Sequence, residues 1–122
     1  MKKIETKNAP KAIGPYSQAI VANGFVYTSG QLGIDPSTGI LDLEIENQAN
    51  QAFLNIKGIL EEANSSLDKV IKTTVFVTDG AYFGVVNQIY ESYFVSKPAR
   101  SFVVVKSLPK DAKIEIEVIA LA

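Results

Sequence analysis

Of the twelve basic side chains in this sequence, only Arg100 is an arginine. It stands behind Pro98 and Ala99 and opens an apolar run that ends at Val105. Where a surface needs only positive charge, lysine serves as well. A planar fork that grips a carboxylate or phosphate through parallel hydrogen bonds needs the guanidinium. Arg100 is therefore either an anion anchor or a partner in a structural ion pair, and composition favours neither. The second candidate lies in "KIEIEVIALA", the last ten residues. Strand alternation there puts Ile114, Ile116, Val118 and Ala120 on one face, and Glu115, Glu117, Ile119 and Leu121 on the other. Carboxylates that share a face with bulky aliphatics are either solvated strand-end acids or include one that is desolvated. In the second case the pKa rises and the group can move a proton. On neighbouring strands, Arg100 would anchor an anion and a glutamate would handle water.

Three shorter stretches add polar candidates. In "AIGPYSQA", Gly14-Pro15 marks a loop from which Tyr16 projects, as a packed loop aromatic or as a ligand contact. "TSGQ" sets Ser29 and Gly30 at the end of a strand, where Gly30 is either a bulge or a place where a ligand approaches the backbone. Asn87 sits among apolar neighbours in a helical stretch, where an exposed polar position is the default reading.

The composition removes many chemistries. There is no histidine and no cysteine, which excludes Ser-His and Cys-His nucleophile pairs, thiol chemistry, disulfides and the usual zinc ligands. No phosphate-binding loop, dinucleotide fingerprint or EF-hand pattern occurs. Asp35, Asp42 and Glu44 are too sparse for a metal site, and Asp35 before Pro36 reads as an Asx turn. Twelve basic against thirteen acidic residues give a net charge of -1, and no basic run exceeds Lys2-Lys3. That argues against a nucleic-acid partner. No apolar run approaches the length of a membrane span, and the lysine-bearing N-terminus lacks the apolar core of a signal peptide, so a cytoplasmic location is expected.

The elements that must position these residues follow from periodicity. The 122 residues form one domain. A strand is expected within Gly24 to Asp35, followed by a "DPSTG" turn. An amphipathic helix runs from Glu44 to Ala63 on the spacing of Ala49, Ala52, Phe53, Ile56, Ile59, Leu60 and Ala63, and Asn64 caps it. A strand over Asp68 to Asp79, a helix over Tyr82 to Phe94 and two closing strands complete an α+β domain with both helices on one sheet face. Apolar residues at both parities in "VFV" and "VVV" imply that the other face is covered too. With the helices already used, self-association is the simplest cover.

The motifs "NAPKAIGPYSQA", "TSGQ", "VIKTTVFVTD", "VNQIYESYF", "PARS" and "LPKDAKIEIEVIA", in this order over nearly the whole chain, resemble the RidA (YjgF/YER057c/UK114) family. The resemblance implies a chorismate-mutase-like α+β fold with a mixed six-stranded sheet and two helices on one face. It also implies a homotrimeric barrel with a ligand cleft between each pair of subunits. The implied activity is cofactor-independent, metal-free hydrolysis of enamines and imines such as 2-aminoacrylate and 2-aminocrotonate to 2-keto acids and ammonia. By the same resemblance Arg100 binds the substrate carboxylate, and Glu115 positions or activates the water. Tyr16, Ser29 and Asn87 contact the ligand, and Gly30 shapes the wall. This sequence departs from the family pattern in a shorter segment between Asn87 and Arg100. It also carries Phe102 where a small residue is common, on the strand face of Arg100. There it is expected to contact the substrate by narrowing or capping the pocket. Both departures bear on substrate preference more than on reaction type. Two other functions stand beside the leading one: a non-catalytic module that binds small carboxylates, and RNA cleavage, which the charge balance disfavours.

Overall fold

A computed structural model describes residues 1–122 in full. Seven strands form one sheet: β1 (Lys2–Ile4), β2 (Ala19–Ala22), β3 (Phe25–Thr28), β4 (Gln31–Leu32), β5 (Val70–Val77), β6 (Ala99–Val104) and β7 (Ile114–Leu121). The main path through the sheet is β1-β2-β3-β7-β5-β6, and β4 pairs with β7 off that path. The expected six strands are thus the path itself, and β4 is a two-residue addition. All pairings are antiparallel except β5 with β6, which makes the sheet mixed. Helix α1 (Ile45–Glu62) leads from β4 to β5, and α2 (Phe83–Tyr93) leads from β5 to β6.

The core lies between the helices and one sheet face. Every residue of the stripe predicted for α1, from Ala49 to Ala63, is buried. Facing it are Val75 and Val77 of β5 and Ile114, Ile116, Val118 and Ala120 of β7, all buried. Full burial of one such aliphatic side chain stabilises by roughly 1.5–3 kcal/mol, so this layer dominates the fold. Phe53 of α1 meets Tyr90, Tyr93 and Phe94 edge-on at centroid distances of 5.8, 5.4 and 5.6 Å, which locks α2 against α1.

Turn chemistry behaves as the residues dictate. The Asp35 carboxylate accepts from the backbone N–H and the hydroxyl of Ser37, at 2.8 and 2.7 Å, and Gly39 leaves the turn at φ +75°. Asn64 adopts φ 60° and closes α1 with its N–H on the carbonyl of Glu61. The other sheet face carries Phe25, Tyr27, Phe76, Val103, Ile119 and Leu121, which no helix of the chain covers. Neither helix is long and apolar enough to cross a membrane.

Candidate active site

Glu115 lies in the middle of the uncovered face. It pairs with Phe76 of β5 on one side and Leu32 of β4 on the other. The passage from β3 to β4 shapes its surroundings. Tyr27 pairs with Ile119 and Gln31 with Ile116, so the β3–β4 side runs one residue longer than β7 opposite. This is a bulge, and it falls on Ser29-Gly30. A Cβ placed on Gly30 would stand 2.8 Å from both Cδ and Oε1 of Glu115. Gly30 therefore sits in the bulge, and the group that comes close to its backbone is the Glu115 carboxylate of the chain itself. Burial raises the pKa of Glu115 above the ordinary glutamate value, and the charge of Glu117 on the same face raises it further.

Tyr16 reaches the same region on a braced loop. The buried Gln18 amide donates to the carbonyls of Thr6, Ala9 and Pro10 and accepts from the Thr6 N–H. Ser29 ties this loop to the bulge, its hydroxyl donating to the Ser17 carbonyl at 2.6 Å and its N–H to the Gln18 carbonyl at 2.9 Å. Ser29 thus acts on Tyr16 through the backbone between them. A hollow of about 400 Å³ results, with Tyr16, Gly30 and Glu115 in its wall together with Ile13, Pro109 and Lys110.

Arg100 occupies the opposite face. Its partner in β5 is Thr73, and Phe102 pairs with Val75, both of which point into the helix-covered core. Strand β6 ends the sheet path, and β5 separates it from β7, so Arg100 and Glu115 are on neither neighbouring strands nor a common face. Within the chain, the one hydrogen bond of the guanidinium runs from Nη1 to Oδ1 of Asn87, at 2.8 Å. Three rings flank it, with Cζ 4.8 Å from the centroid of Tyr90, 5.3 Å from Phe102 and 5.8 Å from Phe83. Tyr90 is itself fixed by a 2.8 Å hydrogen bond to Thr73. Desolvation raises its pKa, so it stays a neutral phenol against the cation.

The structure therefore gathers the predicted residues into two groups. Tyr16, Gly30 and Glu115 share one hollow, and Asn87 and Arg100 share another, near Glu91, Val95 and Lys97. Asn87 is a half-buried ligand of Arg100 rather than a solvent-facing side chain. Phe83 and Tyr90 join the predicted residues at this site. Their spacing of four and three from Asn87 puts all three on one side of α2, which is the signal the sequence carries for them.

Comparison with known proteins bears on this arrangement. The family model described as Endoribonuclease L-PSP matches residues 6–122. A 2-iminobutanoate/2-iminopropanoate deaminase of Salmonella typhimurium is 48% identical over 124 residues, covering 98% of this chain and 97% of that protein. The crystal structure of the Escherichia coli YjgF gene product has a TM-score of 0.96 to this chain at 46% identity, covering 99% and 98% of the two chains. The chain belongs to the RidA/YjgF family. Another RidA-like fold, Escherichia coli TdcF with bound serine, has a TM-score of 0.97 at 42% identity, over 100% of this chain and 99% of that one. Membership extends over the bulge, the Glu115 strand and the Arg100 strand alike, since the alignments run nearly end to end.

Proposed function

We propose that this protein hydrolyses reactive imines and enamines of the 2-aminoacrylate and 2-aminocrotonate class to 2-keto acids and ammonia, without a cofactor. The observation that carries the reading is Arg100: a guanidinium framed by aromatic rings, hydrogen-bonded only to a neutral amide, with its remaining donors uncommitted. A small carboxylate is the natural complement of that fork. Relatives whose name is 2-iminobutanoate/2-iminopropanoate deaminase, at 46–48% identity, support the choice of reaction.

The chemistry needs one anchored anion and one carboxylate near water. With the substrate carboxylate on Arg100, Glu115 takes a proton from water as the C–O bond forms at the iminium carbon. It returns that proton to the nitrogen of the carbinolamine. It then accepts the hydroxyl proton as the C–N bond breaks and passes it to the departing ammonia, so that the 2-keto acid and ammonium leave and the carboxylate is regenerated. A carboxyl group whose pKa is raised toward the working pH suits both roles, and such proton transfer contributes about 10²–10⁴-fold. Tyr16 and Gly30 line the Glu115 side of the cleft, and Asn87 holds Arg100 on the other.

Because these halves face apart within one chain, the reading requires a second copy to bring Arg100 to Glu115. A homotrimer with its sites between subunits satisfies this and covers the open apolar face. The direct test couples the purified protein to a serine or threonine dehydratase and follows 2-keto acid release, where no acceleration over buffer rejects the reading. Assembly is tested by mixing Arg100→Ala and Glu115→Ala chains during refolding. Either variant alone is inactive, and the mixture recovers activity at roughly a quarter of its interfaces if sites are shared between neighbours. The bound serine in TdcF favours one second reading, a carboxylate-binding regulatory module. Ligand binding at Arg100 without turnover of any imine would select it.

A further inference from the structure

We infer that the surroundings of Arg100 select imines of amino acids with bulky apolar side chains, and that Phe102 and Phe83 make the selection. This rests on the imine-hydrolase reading and adds a substrate class to it. A carboxylate held bidentately on a guanidinium has its carbon on the order of 4 Å from Cζ. The rings of Phe102 and Phe83, with centroids 5.3 and 5.8 Å from Cζ, stand close enough to the anchor for a substituent of the adjacent carbon to reach them.

Those two rings form one wall. They meet edge-on with centroids 4.9 Å apart, Phe102 on β6 and Phe83 at the start of α2. Neither is consumed by the core: Phe83 is 46% exposed and Phe102 is half-buried at the margin of the main cluster. On the other flank of Arg100 the hollow shared with Asn87 is lined by Tyr90, Pro98 and the 65% exposed Val95, together with the charged Glu91 and Lys97. That flank is thus mixed, and the apolar border of the carboxylate anchor is the Phe102–Phe83 side. A methyl group leaves most of that surface wet, whereas an isobutyl or benzyl group covers it and displaces water. A cation stacked among rings also loses little by the approach of more apolar surface, since the rings already desolvate it in part.

The test generates imines in situ with an L-amino acid oxidase and catalase from L-alanine, L-leucine and L-phenylalanine. Semicarbazide traps whatever imine the protein does not hydrolyse. The expected result is a higher kcat/KM for the leucine and phenylalanine imines than for the alanine imine. Phe102→Ala should lower the phenylalanine-to-alanine ratio of kcat/KM about tenfold, and Phe102→Leu should restore most of it for the leucine imine. An equal loss for all three imines overturns the inference, because the ring then only positions Arg100. A change of oligomeric state in Phe83→Ala by sedimentation overturns it as well, assigning that ring to an interface. Preference of the unmodified protein for the alanine imine overturns the substrate class alone. No turnover of any imine rejects the proposed reaction and the inference together.

Discussion

Two side chains carry most of the proposed chemistry, and each makes its own prediction. Arg100→Lys keeps the charge and loses the fork, so activity falls by about 10²-fold or more while the melting temperature shifts little. A Lys variant with near-normal kcat/KM would remove the case for a bidentate anchor. For Glu115 the sign follows from the raised pKa. The carboxylate is the base, so kcat/KM falls as pH drops through a value above the ordinary 4.5. Glu117→Gln removes the like charge and moves that limb to lower pH, but not back to the ordinary value, because burial is the larger cause. A proton is held more tightly in the native state than in the unfolded one. Ionisation of Glu115 therefore costs stability as pH rises through its folded pKa. Glu115→Gln should be inactive yet more stable than the parent at neutral pH, with the difference closing below pH 4.5. Thermal denaturation across pH measures it.

At the scale of elements, the glycines of the β3–β4 segment set what the site can be. Gly30→Ala places its Cβ on the far end of a flexible side chain, so Glu115 swings aside at little cost in stability. Activity should drop while the melting temperature holds. Gly33→Ala is different in kind, because its Cβ would lie 2.3 Å from the carbonyl oxygen and 2.6 Å from the Cα of Gln48 in α1. Backbone cannot rotate out of the way, and a loss of about 1–3 kcal/mol by chemical denaturation is expected. How much of this the sequence revealed depends on the range of the interactions involved. The stripe of α1 and the alternation of β7 are local periodicities, and both were legible to the residue. Strands β1 and β2 were not, since "KKI" carries one buried side chain, Ile4, and "AIVA" has no alternation to read. The relation between Arg100 and Glu115 was equally hidden. Each strand announces its own alternation, but which face of β6 matches which face of β7 is set by pairing through β5. The steps Phe76 to Glu115 and Val75 to Phe102 put them on opposite sides. No local pattern encodes that register. Tyr90 carries no local signal for a related reason: as a helix residue it reads as core, while its phenol bonds to Thr73 and its ring faces the cation.

For the whole molecule, the uncovered face predicts association. Tyr27 and Leu121, on that face, are 42% and 46% exposed, and Phe25, Phe76 and Ile119 lie between or beside them. Patches of this kind are buried in interfaces more often than left to water. Sedimentation equilibrium should report a species larger than one chain, and Leu121→Glu should dissociate it. The separation of the two halves of the proposed site onto opposite faces also has a consequence in time. Each chain can complete its own core by a first-order process, while a site made from two chains must wait for an encounter. After dilution from denaturant, near-native helical signal should return at a rate independent of protein concentration, and imine turnover should return at a rate that rises with it. A freshly made chain would then be folded before it is competent, and its competence would depend on how many copies surround it.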